Sequence, residues 1–248
     1  MKSDPEKIAE ALKLILDPGD QFEVRVLGAG GNPNAKAAGW IDYEYIDRYA
    51  RSIAHFADTA AIGGGCYFTP QKLKEGVAVR SRHFFPEVRK VNGESTPKLT
   101  CDDDIDYRRY LIIDIDPVRA PGHEHDSATD EEKLEALAVS EIIRDWLNWL
   151  IRTNIRRPLV VDSGNGFHLY FKIQKQENDC DLSREVLNVL DAKYSNEKVK
   201  IDTTVCNPSR ILKIPGTIAR KGQHTRDRPH RVSSVIVVPD DWEQVRHW

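Results

Sequence analysis

The run Tyr110-Leu-Ile-Ile-Asp-Ile-Asp116 constrains this chain more than any other stretch. It predicts an apolar strand that ends in carboxylates, and Pro117 stops it from continuing as a central strand. Side chains alternate along a strand, so Asp114 and Asp116 project to the same side with their Cα atoms roughly 6.5 to 7 Å apart. Two carboxylates on one sheet face repel unless a cation sits between them. Oxygen-only, partly open geometry suits Mg²⁺ or Mn²⁺ better than zinc. The bland alternative has one carboxylate capping the next turn and the other solvated, so the surrounding pattern must decide.

That pattern is strand, helix, strand. Thr129-Asp-Glu-Glu132 is a capping box, and Leu134, Leu137, Ala138, Ile142, Trp146, Trp149 and Leu150 behind it mark a long amphipathic helix. Leu159 to Asp162 and Phe167 to Ile173 read as strands flanking Ser-Gly-Asn-Gly, with Asn165-Gly166 as the hairpin signal. A second helix is expected around Leu182 to Leu190, then short strands at Val199 to Asp202, Arg210 to Ile214 and Val232 to Val238. Upstream, Pro5 opens a helix through Leu16. Phe22, Val24 and Val26 alternate as a strand, Tyr43 to Phe56 is helical in pattern, and Gly65 to Pro70 reads as another strand. The polar stretch from Leu73 to Asp106 is expected to be a mobile connection, and Asp102-Asp103-Asp104 a solvated loop or helix cap.

The chain has 248 residues, 40 % hydrophobic and 30 % charged, which fits a soluble globular protein of one large domain or two small lobes. No apolar run is long enough to span a membrane, and the start lacks a secretory pattern, so the expectation is a cytoplasmic protein with no membrane partner. The four cysteines form no C-x-x-C pair, which signals neither a zinc ribbon nor a disulfide framework. A net charge of −3 excludes a uniformly basic nucleic-acid binder. It does not exclude an acidic cluster beside a basic groove. From Asn207 to Arg231 there are seven basic residues, Arg210, Lys213, Arg220, Lys221, Arg226, Arg228 and Arg231, against the single acid Asp227. Such an imbalance near carboxylates suits a polyphosphate.

Two more elements bear chemistry. In Ser163-Gly164-Asn165-Gly166-Phe167-His168 the glycines permit close approach of backbone N–H groups to phosphate oxygens, and His168 can add a side-chain donor. Read alone, the tip is an ordinary turn and His168 a satisfied core histidine. Asp202 supplies a third carboxylate at the end of a short strand, with Arg210 and Lys213 on the next one.

In this order the motifs, with Asn207-Pro-Ser-Arg210-Ile-Leu-Lys213 closing the set, resemble the catalytic domain of the archaeo-eukaryotic primase superfamily. The likeness is to the primase-polymerases of plasmids, phages and mobile elements, and it covers about 130 residues from Thr100 onward. It also takes in Lys221-Gly222 and Arg228-Pro-His-Arg231. Gly122 to Asp126 looks like a small insertion, most simply a solvated loop.

The resemblance implies a two-lobed α/β (α+β) primase-polymerase core, with an N-terminal α/β lobe over 1–100 and an RRM-like catalytic sheet over 101–248. It implies that Asp114, Asp116 and Asp202 hold two divalent cations, Mg²⁺ or Mn²⁺. Ser163, His168, Arg210 and Lys213 would bind the incoming NTP or dNTP beside the hairpin glycines, Gly164 and Gly166, and Asn165. Lys221, His230 and Arg231 are further candidates for triphosphate or template contact, and Tyr67, Arg80 and Arg82 for a template groove. The activity implied is template-dependent nucleotidyl transfer to the 3′-hydroxyl of a primer strand on single-stranded DNA. Such catalytic domains often share a chain with a helicase or other domain, so an excised domain is expected. Two other readings stay open: a metal-dependent nuclease or phosphoesterase, and a non-catalytic single-stranded nucleic-acid-binding module. The latter requires exposed aromatics on central strands, with Tyr110, Phe167 and Tyr170 the candidates, although they read more simply as core and the three carboxylates would then go unexplained.

Overall fold

The computed structural model describes residues 1–150, 157–176 and 180–242, with backbone only for 147–150 and 174–176. In chain order the elements are α1 (Pro5–Ile15), β1 (Gln21–Leu27), β2 (Lys36–Asp42), α2 (Ile46–Thr59), β3 (Gly65–Phe68), β4 (Lys72–Leu73), β5 (Arg89–Val91) and β6 (Glu94–Thr96). They continue with β7 (Ile105–Pro117), α3 (Asp130–Leu150), β8 (Leu159–Asp162), β9 (Phe167–Gln176), α4 (Asp181–Tyr194) and β10 (Val199–Ile201). The short strands β11 (Leu212–Lys213), β12 (Ile218–Ala219), β13 (Arg231–Val232) and β14 (Ser234–Val237) close the chain. The helix expected to carry Trp149 and Leu150 forms, but those two side chains lie outside the described residues. No helix among the described residues is long and apolar enough to cross a membrane.

The fold is α+β, with antiparallel sheets. The larger sheet has the order β10-β7-β9-β8-β14, and β4 pairs with the start of β7. Its β7-α3-β8-β9-α4-β10 portion is a strand–helix–strand–strand–helix–strand unit whose last strand lies beside its first, the RRM-like arrangement. The smaller sheet has the order β11-β3-β1-β2. Lys213 therefore sits in the same sheet as residues 21–68, although nearly 150 residues separate the partners.

Alternation along β7 gives the larger sheet two buried faces. Ile113 and Ile115, with Val160, Leu169 and Phe171, pack against Ala136, Val139 and Ile143 of α3 and Leu187 and Leu190 of α4. On the other face Tyr110 and Ile112, with Leu159, Val161 and Tyr170, join a core built from α1, α2, Phe22, Val24, Val26 and Phe68. Tyr110 and Tyr170 are buried in that core and Phe167 in the other. None of the three offers the exposed stacking surface that a simple nucleic-acid-binding module needs.

For residues 73–106 one expectation is corrected and one is borne out in part. The segment is anchored: Trp40 donates its indole N–H to Thr100 Oγ1 at 3.2 Å, and Thr100 donates its N–H to Glu23 at 2.8 Å. In the Asp102–Asp104 run, a 3-10 turn, Asp102 and Asp103 are exposed and Asp104 caps Cys101, as expected, but the Asp104 carboxylate is buried. Asp104 accepts two bonds of 2.7 Å from the Arg80 guanidinium. Its fork geometry is what makes that burial tolerable, and it commits Arg80 to a structural role.

Gln71 completes the edge of β7 where no strand covers it. Its Oε1 accepts the N–H groups of Arg109 (2.9 Å) and Tyr110 (3.1 Å), and its Nε2 donates to the Tyr110 carbonyl (2.9 Å). The β7–β9 register shifts at this point, between Arg108 and Tyr110. Gln71→Leu removes these partners from buried backbone groups and is expected to cost about 2–4 kcal/mol of stability, read by urea unfolding.

Candidate active site

The alternation that buries Tyr110 and Ile112 carries Asp114 and Asp116 to the same face, where the apolar core gives out. There they line a cleft of about 340 Å³ with His168, Arg210, Lys213 and Lys221. The β7–β9 register sets Asp114 opposite His168, whose Nε2 lies 3.5 Å from Asp114 Oδ1. The hairpin tip opposes the end of β7 so closely that a Cβ at Gly166 would lie 2.4 Å from the Ile115 carbonyl and 2.6 Å from Asp116 Oδ1. Only glycine fits there.

The hairpin forms, with a different turn from the expected Asn165-Gly166 centre. Ser163 N–H bonds the Gly166 carbonyl (2.9 Å), so the central pair is Gly164-Asn165. Gly164 has φ +93° and Asn165 does not adopt positive φ, the requirement of a turn with glycine first. The expected open set of backbone donors is also altered. Gly164 N–H bonds Asp162 (2.7 Å), and Gly166 N–H bonds the Ser163 hydroxyl (3.0 Å). That hydroxyl donates in turn to the Gly166 carbonyl (3.1 Å). The side chains of Asp162 and Ser163 thus satisfy the Gly164 and Gly166 N–H groups. Asn165 is buried and accepts the Ala128 N–H (2.9 Å), fixing the tip to the entrance of α3.

Burial and the like charges of Asp116 and Asp202 push the Asp114 carboxyl well above the usual range. The flanking cations, Arg210 and Lys221, offset this in part. Burial drives His168 down to about 4, so its imidazole is neutral at ordinary pH. Asp202 stands beside the pair, donating its N–H to the Asp114 carbonyl at 2.9 Å. Its carboxylate, however, accepts from Thr204 N–H (2.8 Å) and Oγ1 (2.6 Å) and from Arg210 (2.8 Å). Among the described residues no three acidic, histidine or cysteine side chains converge on one point. The donor set nevertheless fits a hard divalent cation at Asp114 and Asp116: these are oxygen ligands, mutually repelling, with Asp116 40 % exposed to the cleft. The Asp202 carboxylate is engaged by Arg210 and Thr204 rather than turned to the pair.

Lys213 reaches the cleft from β11. Its ammonium is buried, donates to the Ile218 carbonyl (2.7 Å) and lies 5.4 Å from the centre of the Tyr67 ring. Gly65, at φ +148°, holds a backbone that disfavours a side chain and leaves room for the Lys213 nitrogen, which a Cβ there would meet at 2.4 Å. A smaller pocket of about 60 Å³ adjoins, lined by Ser163, Asn165, Lys213, Lys221, Gly64 and Tyr67 among others. Ser127 holds the Lys221 backbone from both its N–H (2.9 Å) and its hydroxyl (3.0 Å).

The remaining sequence candidates lie elsewhere. His230 contacts the Gly222 carbonyl (3.0 Å) within its own loop. Arg231 donates to Ala128 (2.7 Å) and Asp130 (2.6 Å) at the start of α3. Neither lines the cleft. Arg82 is paired with Asp42 and lines a separate groove. Tyr67 does line the cleft, and Leu27 joins it there without any motif to announce it.

Burial lowers the Lys213 pKa to about 8. The unfolded chain therefore binds more protons than the folded one between pH 8 and about 10.4. Stability attributable to this group rises with pH through that window and is penalised below it. Relative to Lys213→Met, the wild-type protein is expected to gain about 2–3 kcal/mol between pH 7.5 and 10.5 in urea unfolding.

No family model matches the chain, and no curated protein matches it. Among solved structures it is similar to primase RepB', with 10 % identity and a TM-score of 0.49 over 97 % of this chain and 59 % of that one. It is also similar to the catalytic domain of primase RepB' in complex with initiator DNA, with 12 % identity and a TM-score of 0.47 over 92 % of this chain and 82 % of that one. The chain thus spans less than two thirds of the longer RepB' chain.

Proposed function

We propose that this chain is a template-dependent nucleotidyltransferase of the primase-polymerase kind, joining NTPs or dNTPs to a primer 3′-hydroxyl on single-stranded DNA. One observation carries the reading: a carboxylate pair and a set of cations of triphosphate reach share one cleft. Phosphoryl transfer asks little of a protein beyond positioning and charge. Divalent cations bound at Asp114 and Asp116 would supply activation of the attacking hydroxyl and charge neutralisation at the phosphorus. Lys213 and Lys221 bind triphosphate oxygens where the two pockets meet. Arg210 leaves Asp202 for the nucleotide, which frees that carboxylate for the cation site. His168, neutral and wedged beside Asp114, donates a hydrogen bond to a phosphate oxygen without adding charge. Gly166 and Gly65 keep the turn and Lys213 in position.

A nuclease needs carboxylates too, but it does not need a second pocket of lysines beyond them, whereas a triphosphate does. Purified protein with Mn²⁺ or Mg²⁺ is expected to extend a primed template, and Asp114→Asn to reduce the rate at least about 10³-fold with the fold intact by circular dichroism. Cleavage of labelled single strands without nucleotides, and no extension, would select the nuclease reading.

The same geometry sets a pH dependence. A bound triphosphate favours the charged form of Lys213, so binding takes up a proton above pH 8. Nucleotide affinity is expected to weaken as pH rises past 8, by up to about tenfold per unit. Lys213→Arg, which stays charged, should flatten that profile in equilibrium titrations.

A further inference from the structure

Outside the cleft, α2 and the segment over residues 81–88 build an aromatic surface that the chemistry above does not use. The segment lies along the edge strand β2: His83 N–H bonds the Trp40 carbonyl (2.8 Å), Trp40 N–H the Ser81 carbonyl (3.1 Å) and Val88 N–H the Lys36 carbonyl (2.7 Å). It thereby covers the sheet edge. A chain of rings then joins it to α2. Tyr45 meets His83 at 4.6 Å between ring centres, His83 stacks on Tyr49 at 5.4 Å, Tyr49 meets Phe85 at 6.0 Å and Phe85 meets Phe56 at 5.3 Å. His83, at φ +61°, is held in its left-handed backbone by these rings and by Asp42, 2.8 Å from its Nε2. Packing accounts for the inner rings. It does not account for Tyr45, 42 % exposed, or for Phe84, 67 % exposed and next to His83 in the chain.

Cations run alongside. Tyr45, Tyr49 and Phe56 are i, i+4 and i+11 along the helix, and the exposed Arg48, Arg51 and His55 are i, i+3 and i+7, a second row on the adjoining side. Arg48 lies 5.9 Å from the centre of the Tyr49 ring. The half-exposed Arg82 shares the single Asp42 carboxylate with His83. Other acids nearby are engaged: Asp47 by Lys13 (2.6 Å), Glu87 by Arg89 (3.2 Å) and Glu44 by the Gly19 N–H (3.0 Å). Rings open to water beside a row of guanidinium groups match a polyanion with flat, unpaired faces, whose bases stack while its phosphates meet the cations. A protein partner would ask instead for an apolar centre with charge at its rim. We propose that Tyr45 and Phe84, with Arg48, Arg51 and Arg82, form a docking surface for single-stranded DNA. None of the five lines the cleft or the lysine pocket. Tyr45 and Arg82 line the groove of about 700 Å³ on their other side, but Glu44, Glu75 and Asp106 line it too, so the strand follows α2 rather than that groove. Docking here is independent of the reaction in the cleft.

Fluorescence anisotropy over a salt series, with a labelled twenty-residue oligothymidylate and with a duplex of the same length, tests this surface. Phe84→Ala and Tyr45→Ala are each expected to weaken single-strand binding at least about fivefold and duplex binding less than about twofold, because paired bases present no free face. Arg48→Ala and Arg51→Ala should each flatten the slope of log affinity against log salt by about 0.7, the loss of one phosphate contact on a single strand. Phe84→Trp keeps a stacking face and is expected to bind within about twofold of wild type. Single-strand binding that survives both aromatic-to-alanine changes overturns the proposal and leaves the nucleotidyltransferase reading of the cleft standing. Equal weakening of duplex and single strand overturns it as well, since charge without stacking would then explain the binding. So does a loss in Phe84→Trp as large as in Phe84→Ala. Failure of the wild-type protein to bind the oligothymidylate overturns it outright, whereas extension of a primed template remains the separate test of the cleft.

Discussion

Asp114 is a carboxylate on a strand whose neighbours on the same face, Tyr110 and Ile112, are core residues. Its place at the rim of that core, and the β7–β9 register behind it, govern the rest of the cleft. The register sets His168 beside Asp114 and brings the hairpin tip against Asp116. A slip of one residue would turn both carboxylates toward α3 and α4 and expose Ile113 and Ile115. The apolar faces of the sheet therefore enforce the position of the polar residues, through energies far larger than the carboxylates themselves contribute.

A second constraint runs through the entrance of α3. Ala128 N–H binds Asn165, Ser127 holds Lys221, and Arg228 grips Glu132 at 2.8 and 2.9 Å while bonding the Ser127 carbonyl at 2.8 Å. Hairpin tip, helix and basic loop are thereby joined in one network. It also changes the meaning of the seven basic residues between Asn207 and Arg231. Arg210 faces Asp202, Arg228 faces Glu132 and Arg231 faces Asp130. Arg220 donates to the Ala57 and Ala60 carbonyls at the end of α2, where a cation suits the helix dipole. Only Lys213 and Lys221 bring this charge to the cleft without a carboxylate partner. The local excess of positive charge is mostly scaffold.

What the sequence revealed follows period and adjacency. The i, i+2 rule was enough to set Asp114 and Asp116 on one face, and the capping box was enough to start α3, where Glu132 accepts the Thr129 N–H at 2.9 Å. Features that depend on partners distant in sequence were not legible. Asp104 looks solvated until Arg80 is brought to it, and Gly65 looks like any strand-end glycine until the Lys213 ammonium is set beside it. The turn was mistaken by one residue because Asn-Gly is a strong local preference. The local bond from Gly164 N–H to Asp162 and the tertiary bond from Ala128 N–H to Asn165 outweigh it.

The two sheets meet over a shared core and divide the cleft between them. Anionic groups come from β7, while Lys213 and Tyr67 come from β11 and β3 of the other sheet. Opposite charges on separate sheets attract across the opening, yet a cleft that collapsed onto direct ion pairs would leave nothing for a ligand. The core prevents it. Tyr110 and Tyr170, neighbours on the larger sheet that meet edge to face at 5.7 Å, pack in one core with Phe22, Val24 and Phe68 of the smaller sheet, which keeps the sheets apart by a filled, close-packed volume. Shortening this spacer would cost packing energy at once, whereas attraction between charges that face an open, high-dielectric cleft is weak. An open, charge-divided cleft is thus the low-energy state of the fold, with its electrostatic demand unmet and available to a polyanion that brings its own cations.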